Sequence, residues 1–187
     1  MLDSWAASNE PPPINEVRPQ CCPSCGAIAV HGARVVLHGH GLRDREVVLP
    51  GEDRAQLVRV WVRRFRCTAC EATCSVLPPG VLPGHIYSLV AILTAWWLGA
   101  RHPLGKGLDD GAVYARQGVD RLTPEKHQNG RPRWRSLVRW ASRIETWWPG
   151  RVFAGPTWRR RVDGLLTGLV AKGGEDWRAH AVRGAVC

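Results

Sequence analysis

The spacing of hydrophobic positions changes character near residue 80. Upstream, apolar residues alternate with polar ones, as strands with one covered face require. "ARVVLH" (33–38) and "REVVLP" (45–50) are short β-rich runs, with turn residues around Gly39–Arg43 between them. "QLVRVWVRRFRC" (56–67) is longer, with Val58, Val60 and Val62 on one side and Leu57, Trp61 and Phe65 on the other. Downstream, the period lengthens to that of helices. Residues 86–100 predict an apolar helix, central to a small bundle. A shorter helix is expected over 110–118, and Thr123–Pro124 signals another helix start. The strongest amphipathic segment is 133–148, "RWRSLVRWASRIETWW", with Leu137, Trp140, Ala141, Ile144 and Trp148 as its apolar stripe. A last helix is expected over 158–171, with Val162, Leu165, Leu166, Leu169 and Val170 on one face.

This pattern predicts a small α+β protein, β-rich first and all-α afterwards. The segments are a disordered, Pro-rich leader (1–20), a β-rich module (21–76), a Pro/Gly hinge (77–85), a helical domain (86–171) and a tail (172–187). With 187 residues, one domain or two small ones is the prior. Two short modules would each have a thin core without a staple.

Cysteines change that picture. Six of the seven fall in the β-rich module, clustered as "CCPSC" (21–25) and "CTACEATC" (67–74). "MLDSWAASNEPPP" has neither the basic start nor the apolar stretch of a signal peptide. The longest apolar run, 87–100, is too short to span a bilayer and ends at Arg101. The expected location is therefore the cytoplasm, where thiols stay reduced and paired cysteines point to metal rather than disulfides. Cys22–Cys25 and Cys67–Cys70 are two C-x2-C pairs. Two such turns complete a tetrahedral S4 site, so one structural Zn2+ is expected on Cys22, Cys25, Cys67 and Cys70. Gly26 allows the positive φ such a turn often needs after its second ligand. Cys21 and Cys74 are read as spectators, with Cys74 an alternative ligand, and Cys187 as inert. His38 and His40 are read as loop residues, since four thiolates already fill the shell. A thioredoxin-like role is disfavoured, because no βαβ pattern follows either motif.

Charge adds a partner. The 26 Lys and Arg outnumber 16 Asp and Glu, for a net charge of +10, and only Lys106, Lys126 and Lys172 are Lys. Between Arg131 and Arg161 nine Arg face a single acid, Glu145, so the excess is local. That is the footprint of a polyanion-binding face. Arg131, Arg135, Arg139 and Arg143 recur every fourth residue, so they line one flank of the 133–148 helix if it begins early enough to take in Arg131.

"CPSCG", "VRVWVRRFRC" and "CTACEATCSVLPPGVLPGHIYSL" together resemble the N-terminal zinc ribbon of transposase-related proteins of the bacterial ISL3-like insertion-sequence type. "RPRWRSLVRW" resembles the helix-turn-helix that follows such ribbons. The resemblance covers roughly 21–148. It implies a zinc ribbon followed by a helix-turn-helix-like bundle, zinc on the same four cysteines, and double-stranded DNA as partner. Two departures stand out: Cys74 replaces an aromatic residue, and 101–130 is longer and richer in Gly than a compact connection.

Arg131, Arg133, Arg135, Arg139 and Arg143 are then the expected DNA contacts, with Arg34 and Arg63 of the ribbon adding phosphate contacts. No enzyme is expected. Asp109, Asp110, Asp120, Glu125, Glu145, Asp163, Glu175 and Asp176 sit at no convincing strand end, and two-metal nucleases need carboxylates converging from a rigid frame. The alternative is a protein-interaction adaptor using exposed Trp. Ten Trp are present, and in the Trp96–Trp97 and Trp147–Trp148 pairs one member should point outward. Such Trp could also stack unpaired bases.

Overall fold

The computed structural model describes residues 5–7, 9–51, 53–101, 107–119, 125–126, 132–148 and 155–173. It is an α+β protein with its larger sheets in the N-terminal half and its helices in the C-terminal half. The chain divides into two units. One comprises Met1–Val47 and Val58–Pro83, the other Val48–Leu57 and Gly84–Cys187.

In the first unit, β1 (Val30–His31) and β2 (Arg34–Val35) form a small hairpin, with Val30 opposite Val35 and His31 opposite Arg34. Its two-residue turn places Gly32 at φ +57°, a conformation that favours glycine. A three-stranded sheet follows, ordered β3 (Leu37–Leu49), β4 (Gln56–Cys67) and β5 (Thr73–Val76). Residues 50–55 are too few for a parallel crossover, so β3 and β4 run antiparallel. β5 is also antiparallel to β4, with Phe65 opposite Cys74 and Arg66 opposite Thr73.

The turn expected at Gly39–Arg43 does not exist. β3 runs through it as one 13-residue strand. The sequence misled because residues 38–44 are all exposed and carry no alternation. Backbone pairing to β4, rather than a covered face, holds them extended.

β4 presents its buried residues on both faces in turn. Val60 and Val62 are buried on one side, then Phe65 and Cys67 on the other. Phe65 and Cys67 join Cys22, Ala29 and Leu37 in a small core, flanked by Ile14, Val17, Ala27, Val36, Cys74 and Val76.

The N-terminal segment expected to be disordered is placed along β4. Trp5 is buried, Ala6 bridges Val60, and the Ala7 N–H donates to the Arg59 carbonyl at 2.8 Å. Trp61 Nε1 and Arg63 Nε donate to the carbonyls of Asn9 and Pro12, each at 2.9 Å. β5 ends opposite Arg63, and the Ala7–Arg59 bond with the Ala6–Val60 bridge pairs part of the β4 edge that it leaves uncovered.

The second unit is built around α1 (Leu89–Arg101). Buried Ser88 caps it, its Oγ accepting from the Ala91 N–H at 3.2 Å. Leu89, Ile92, Leu93 and Trp96 are fully buried along its length. α2 (Asp110–Gln117) is capped by Asp109, whose carboxylate accepts from the Ala112 N–H at 2.9 Å. β6 (Glu125–Lys126) and β7 (Pro132–Arg133) pair antiparallel. This places strand where Thr123–Pro124 had suggested a helix start; those two residues themselves lie outside the described ones. α3 (Arg135–Ala141), α4 (Ile144–Trp147) and α5 (Trp158–Gly173) complete the unit. α1 packs against α2, α3 and α5, so it is the central helix.

The expected single helix over 133–148 is two short ones. Ser142 Oγ donates to the Arg139 carbonyl at 2.8 Å, and the Arg143 N–H bonds to Trp140 three residues back instead of four. Such side-chain competition and tightening end α3 at Ala141. Because α4 stops at Trp147, Trp148 leaves the helical path at ψ 75° and turns inward. Trp147 and Trp148 are therefore both buried. None of the described Trp residues is exposed. The rings of Tyr87, Tyr114, Trp134 and Trp140 meet edge to face or tilted, at centroid distances of 4.9–5.7 Å. Trp96, Trp147 and Trp148 form a second run. The aromatic wealth of the sequence is spent on the core of this unit.

Candidate metal centre

Two turns of the first unit build the site in the same way. In each, the N–H of the first cysteine donates to a carbonyl five residues on: Cys22 to Ala27 at 2.8 Å, and Cys67 to Ala72 at 2.9 Å. In each, the residue after the second cysteine has positive φ: Gly26 at 75° and Glu71 at 61°. In each, the first cysteine is buried and the second exposed. The Gly26 turn was legible from the sequence. Its counterpart was not, because Glu71 is the only described non-glycine residue with positive φ and carries no compositional mark.

The four sulfurs converge within 4.8 Å of one another, and among the described residues this is the only such group of metal-ligating side chains. Cys22 Sγ to Cys70 Sγ and Cys25 Sγ to Cys67 Sγ are each 3.8 Å. A disulfide would need about 2.05 Å, so these are thiols. A tetrahedron with metal–sulfur distances of about 2.3 Å has edges of about 3.8 Å. The arrangement is compatible with one metal ion at its centre.

Electrostatics point the same way. The backbone N–H groups of Cys25 and Ser24 lower the Cys22 thiol to about 7. At Cys25 the Ala27 N–H favours the thiolate, but hydrogen bonds shared with Cys70, desolvation, and further bonds to Cys22 and Cys67 push it up to about 12. Crowded thiols share protons because neighbouring thiolates repel. A divalent cation removes that conflict and lets all four ionise.

Cys74 is not part of the quartet. It sits on β5 opposite Phe65 and packs against the small core, where burial and the neighbouring Cys22 and Cys67 raise its thiol. Cys21 is exposed and its backbone bridges Ile28. His38 and His40 lie exposed on β3, outside the quartet. Cys187 lies outside the described residues.

The expected nucleic-acid contacts are distributed as follows. Arg135, Arg139 and Arg143 are exposed on α3 and its following turn, while Leu137, Trp140, Ala141 and Ile144 are buried opposite them. Arg143 Nη1 lies 3.0 Å from His85 Nε2. Arg34 is exposed beside the β1–β2 turn, and Arg63 is half-buried by its bond to Pro12. Arg133 lies in β7, where its backbone pairs with Glu125, and Arg131 lies outside the described residues.

Four acids of the second unit have local roles. Asp109 is a helix cap, Asp110 pairs with Arg159 at 2.9 Å, Glu145 with Arg161 at 3.5 Å, and Asp163 with Arg101. Asp120, Glu175 and Asp176 lie outside the described residues. No helix among the described residues is long and apolar enough to cross a membrane.

No family model matches this chain, and comparison with curated proteins and with solved structures returned no match.

Proposed function

We propose that this is a zinc-dependent DNA-binding protein with no catalysis of its own, of the kind that recognises DNA within transposases or as a stand-alone regulator. Zinc is the metal favoured by an all-thiolate tetrahedral site, and the 3.8 Å sulfur separations support it. Its role is structural. Four protein ligands leave no open position for chemistry, and the small core beneath needs the binding energy.

The DNA reading rests on one observation. The face of α3 and its following turn that carries Arg135, Arg139 and Arg143 is exposed, and its opposite face is fixed in the core by Leu137, Trp140 and Ile144. An α-helix fits the major groove, and guanidinium groups bind phosphates and guanine edges. Glu145, the one acid between Arg131 and Arg161, pairs with Arg161. The helix-turn-helix comparison is part of this proposal, with α3 as the recognition element. Asp109, Asp110, Glu145 and Asp163, engaged in a cap and ion pairs, weigh against a converging nuclease carboxylate set among themselves. Trp96, Trp147 and Trp148 are buried and Trp97 is half-buried, which weighs against the Trp-anchored adaptor.

The test is metal analysis joined to a salt-dependent titration with duplex DNA. One zinc per chain and a log–log salt slope of several units are expected. Arg139→Ala should lower the slope by about 0.9 if Arg139 touches a phosphate. If it reads a base, the cost should be about 1–3 kcal/mol at one position of the site. Full duplex affinity in a folded, zinc-loaded Arg135/Arg139/Arg143→Ala protein would remove α3 from the interface.

A further inference from the structure

The exposed face of α3 is not purely basic. Between Arg135 and Arg139 stands Val138, 37% exposed. Among the described residues, Ile28, Val30, Leu42 and Leu57 are the other large hydrophobics left in solvent, and none of them is on a helix. A lone surface valine is ordinary and needs no explanation. This one is set apart by its place on the exposed side of α3, one turn from Arg135 and adjacent in sequence to Arg139, both also exposed.

We propose that Val138 reads a base: its methyl groups pack against the 5-methyl of a thymine in the major groove of duplex DNA, with Arg139 reaching the neighbouring base pair. The inference rests on the DNA-binding reading above and adds to it which atoms of the base are read. In the major groove thymine alone among the four bases offers a methyl group, and apolar side chains contact it. Arg139 has no side-chain partner among the described residues and points from the same face. Arg143 is engaged by His85, and the Ser142 hydroxyl by the Arg139 carbonyl, so neither is set to read a base. The exposed Arg135 and Arg139 flank Val138 along the helix, which complements the groove and disfavours a basic protein partner. A single half-exposed valine is also too small to anchor a protein interface.

The experiment selects duplexes from a random pool with the full-length, zinc-loaded chain. Each thymine of the enriched site is then replaced in turn by deoxyuridine, which removes only the methyl group. At one thymine, beside a base pair sensitive to Arg139→Ala, the wild-type chain should lose about fourfold in affinity, the worth of one buried methyl. Val138→Ala should lose a similar factor on the thymine duplex and show no further loss on deoxyuridine. Its zinc content and melting temperature should match wild type, because the side chain is at the surface. Insensitivity of the wild type to every deoxyuridine, or a Val138→Ala chain that keeps the wild-type sensitivity, overturns the assignment. DNA binding without an enriched sequence overturns it too while leaving phosphate binding intact. No binding to the pool at all overturns the DNA reading itself.

Discussion

Replacing Cys70 by Ser removes one thiolate of the quartet without disturbing packing, because Cys70 is exposed whereas Cys67 is buried in the core. Structural zinc sites supply about 10–16 kcal/mol of apparent binding energy in small peptides at neutral pH. Shared evenly over four ligands, one thiolate carries about 2.5–4 kcal/mol, on the order of a hundred- to a thousandfold in Kd. The core beneath cannot make up the loss. Its only large, fully buried side chains are Leu37 and Phe65, worth about 1.5–3 kcal/mol each. Fixing the backbone costs about 1–2 kcal/mol for every residue ordered. Cys70→Ser should therefore lose its metal to a competing chelator that leaves the wild type loaded. Amide exchange across 21–76 should accelerate at the same time. Cys74→Ser should keep one zinc, since Cys74 lies outside the quartet. If Cys70→Ser stays fully loaded under that chelator while Cys74→Ser is emptied, the ligand assignment and the reasoning behind it are wrong.

The two turns and the thiol chemistry give further expectations. Gly26→Ala should cost about 1–2 kcal/mol, the penalty of a left-handed residue with a Cβ. Nothing lies within 4 Å of the added methyl, so urea unfolding reads the backbone term alone. A loss below about 0.3 kcal/mol would contradict the φ of +75°. Metal affinity should fall as pH falls. The Cys25 thiol, held near 12, is protonated at neutral pH in the metal-free protein and must give up that proton on binding. Calorimetry in buffers of different ionisation enthalpy should show net proton release at pH 7, and zero release would refute this.

What the sequence disclosed was what local chemistry dictates. Paired C-x2-C spacing located the quartet, because four ligands on two tight turns have few other uses. The inward stripe of Leu137, Trp140 and Ile144 located the exposed arginines, because a helical period fixes which face is buried. The misses came from forces without a local signature. Residues 38–44 are held extended by a neighbouring strand, so "HGHGLR" looked like a turn. The break after Ala141 comes from one serine hydroxyl competing for a carbonyl, and the apolar period runs through it unchanged. The apolar stripe put Trp148 inward and thereby turned Trp147 outward, whereas in the broken helix both are buried. Glu71 takes a glycine-like conformation because the second cysteine turn requires it, and nothing in its side chain announces this.

The division of the chain at Val47–Val48 and Leu57–Val58 bears on ancestry and on cutting the protein apart. The outer ends of β3 and β4 belong to the helical unit. There the Val48 N–H bonds to Ile86, the Ser88 N–H bonds to the Val48 carbonyl, and the Ala55 N–H bonds to Arg116. A fragment starting at Gly84 would leave those partners behind and expose the start of α1. The cysteine-bearing and helical parts are thus interleaved along the polypeptide, not beads on a string. Recombination that shuffled either one alone would have to carry an insertion from the other. The pair should be inherited, expressed and lost as a single piece.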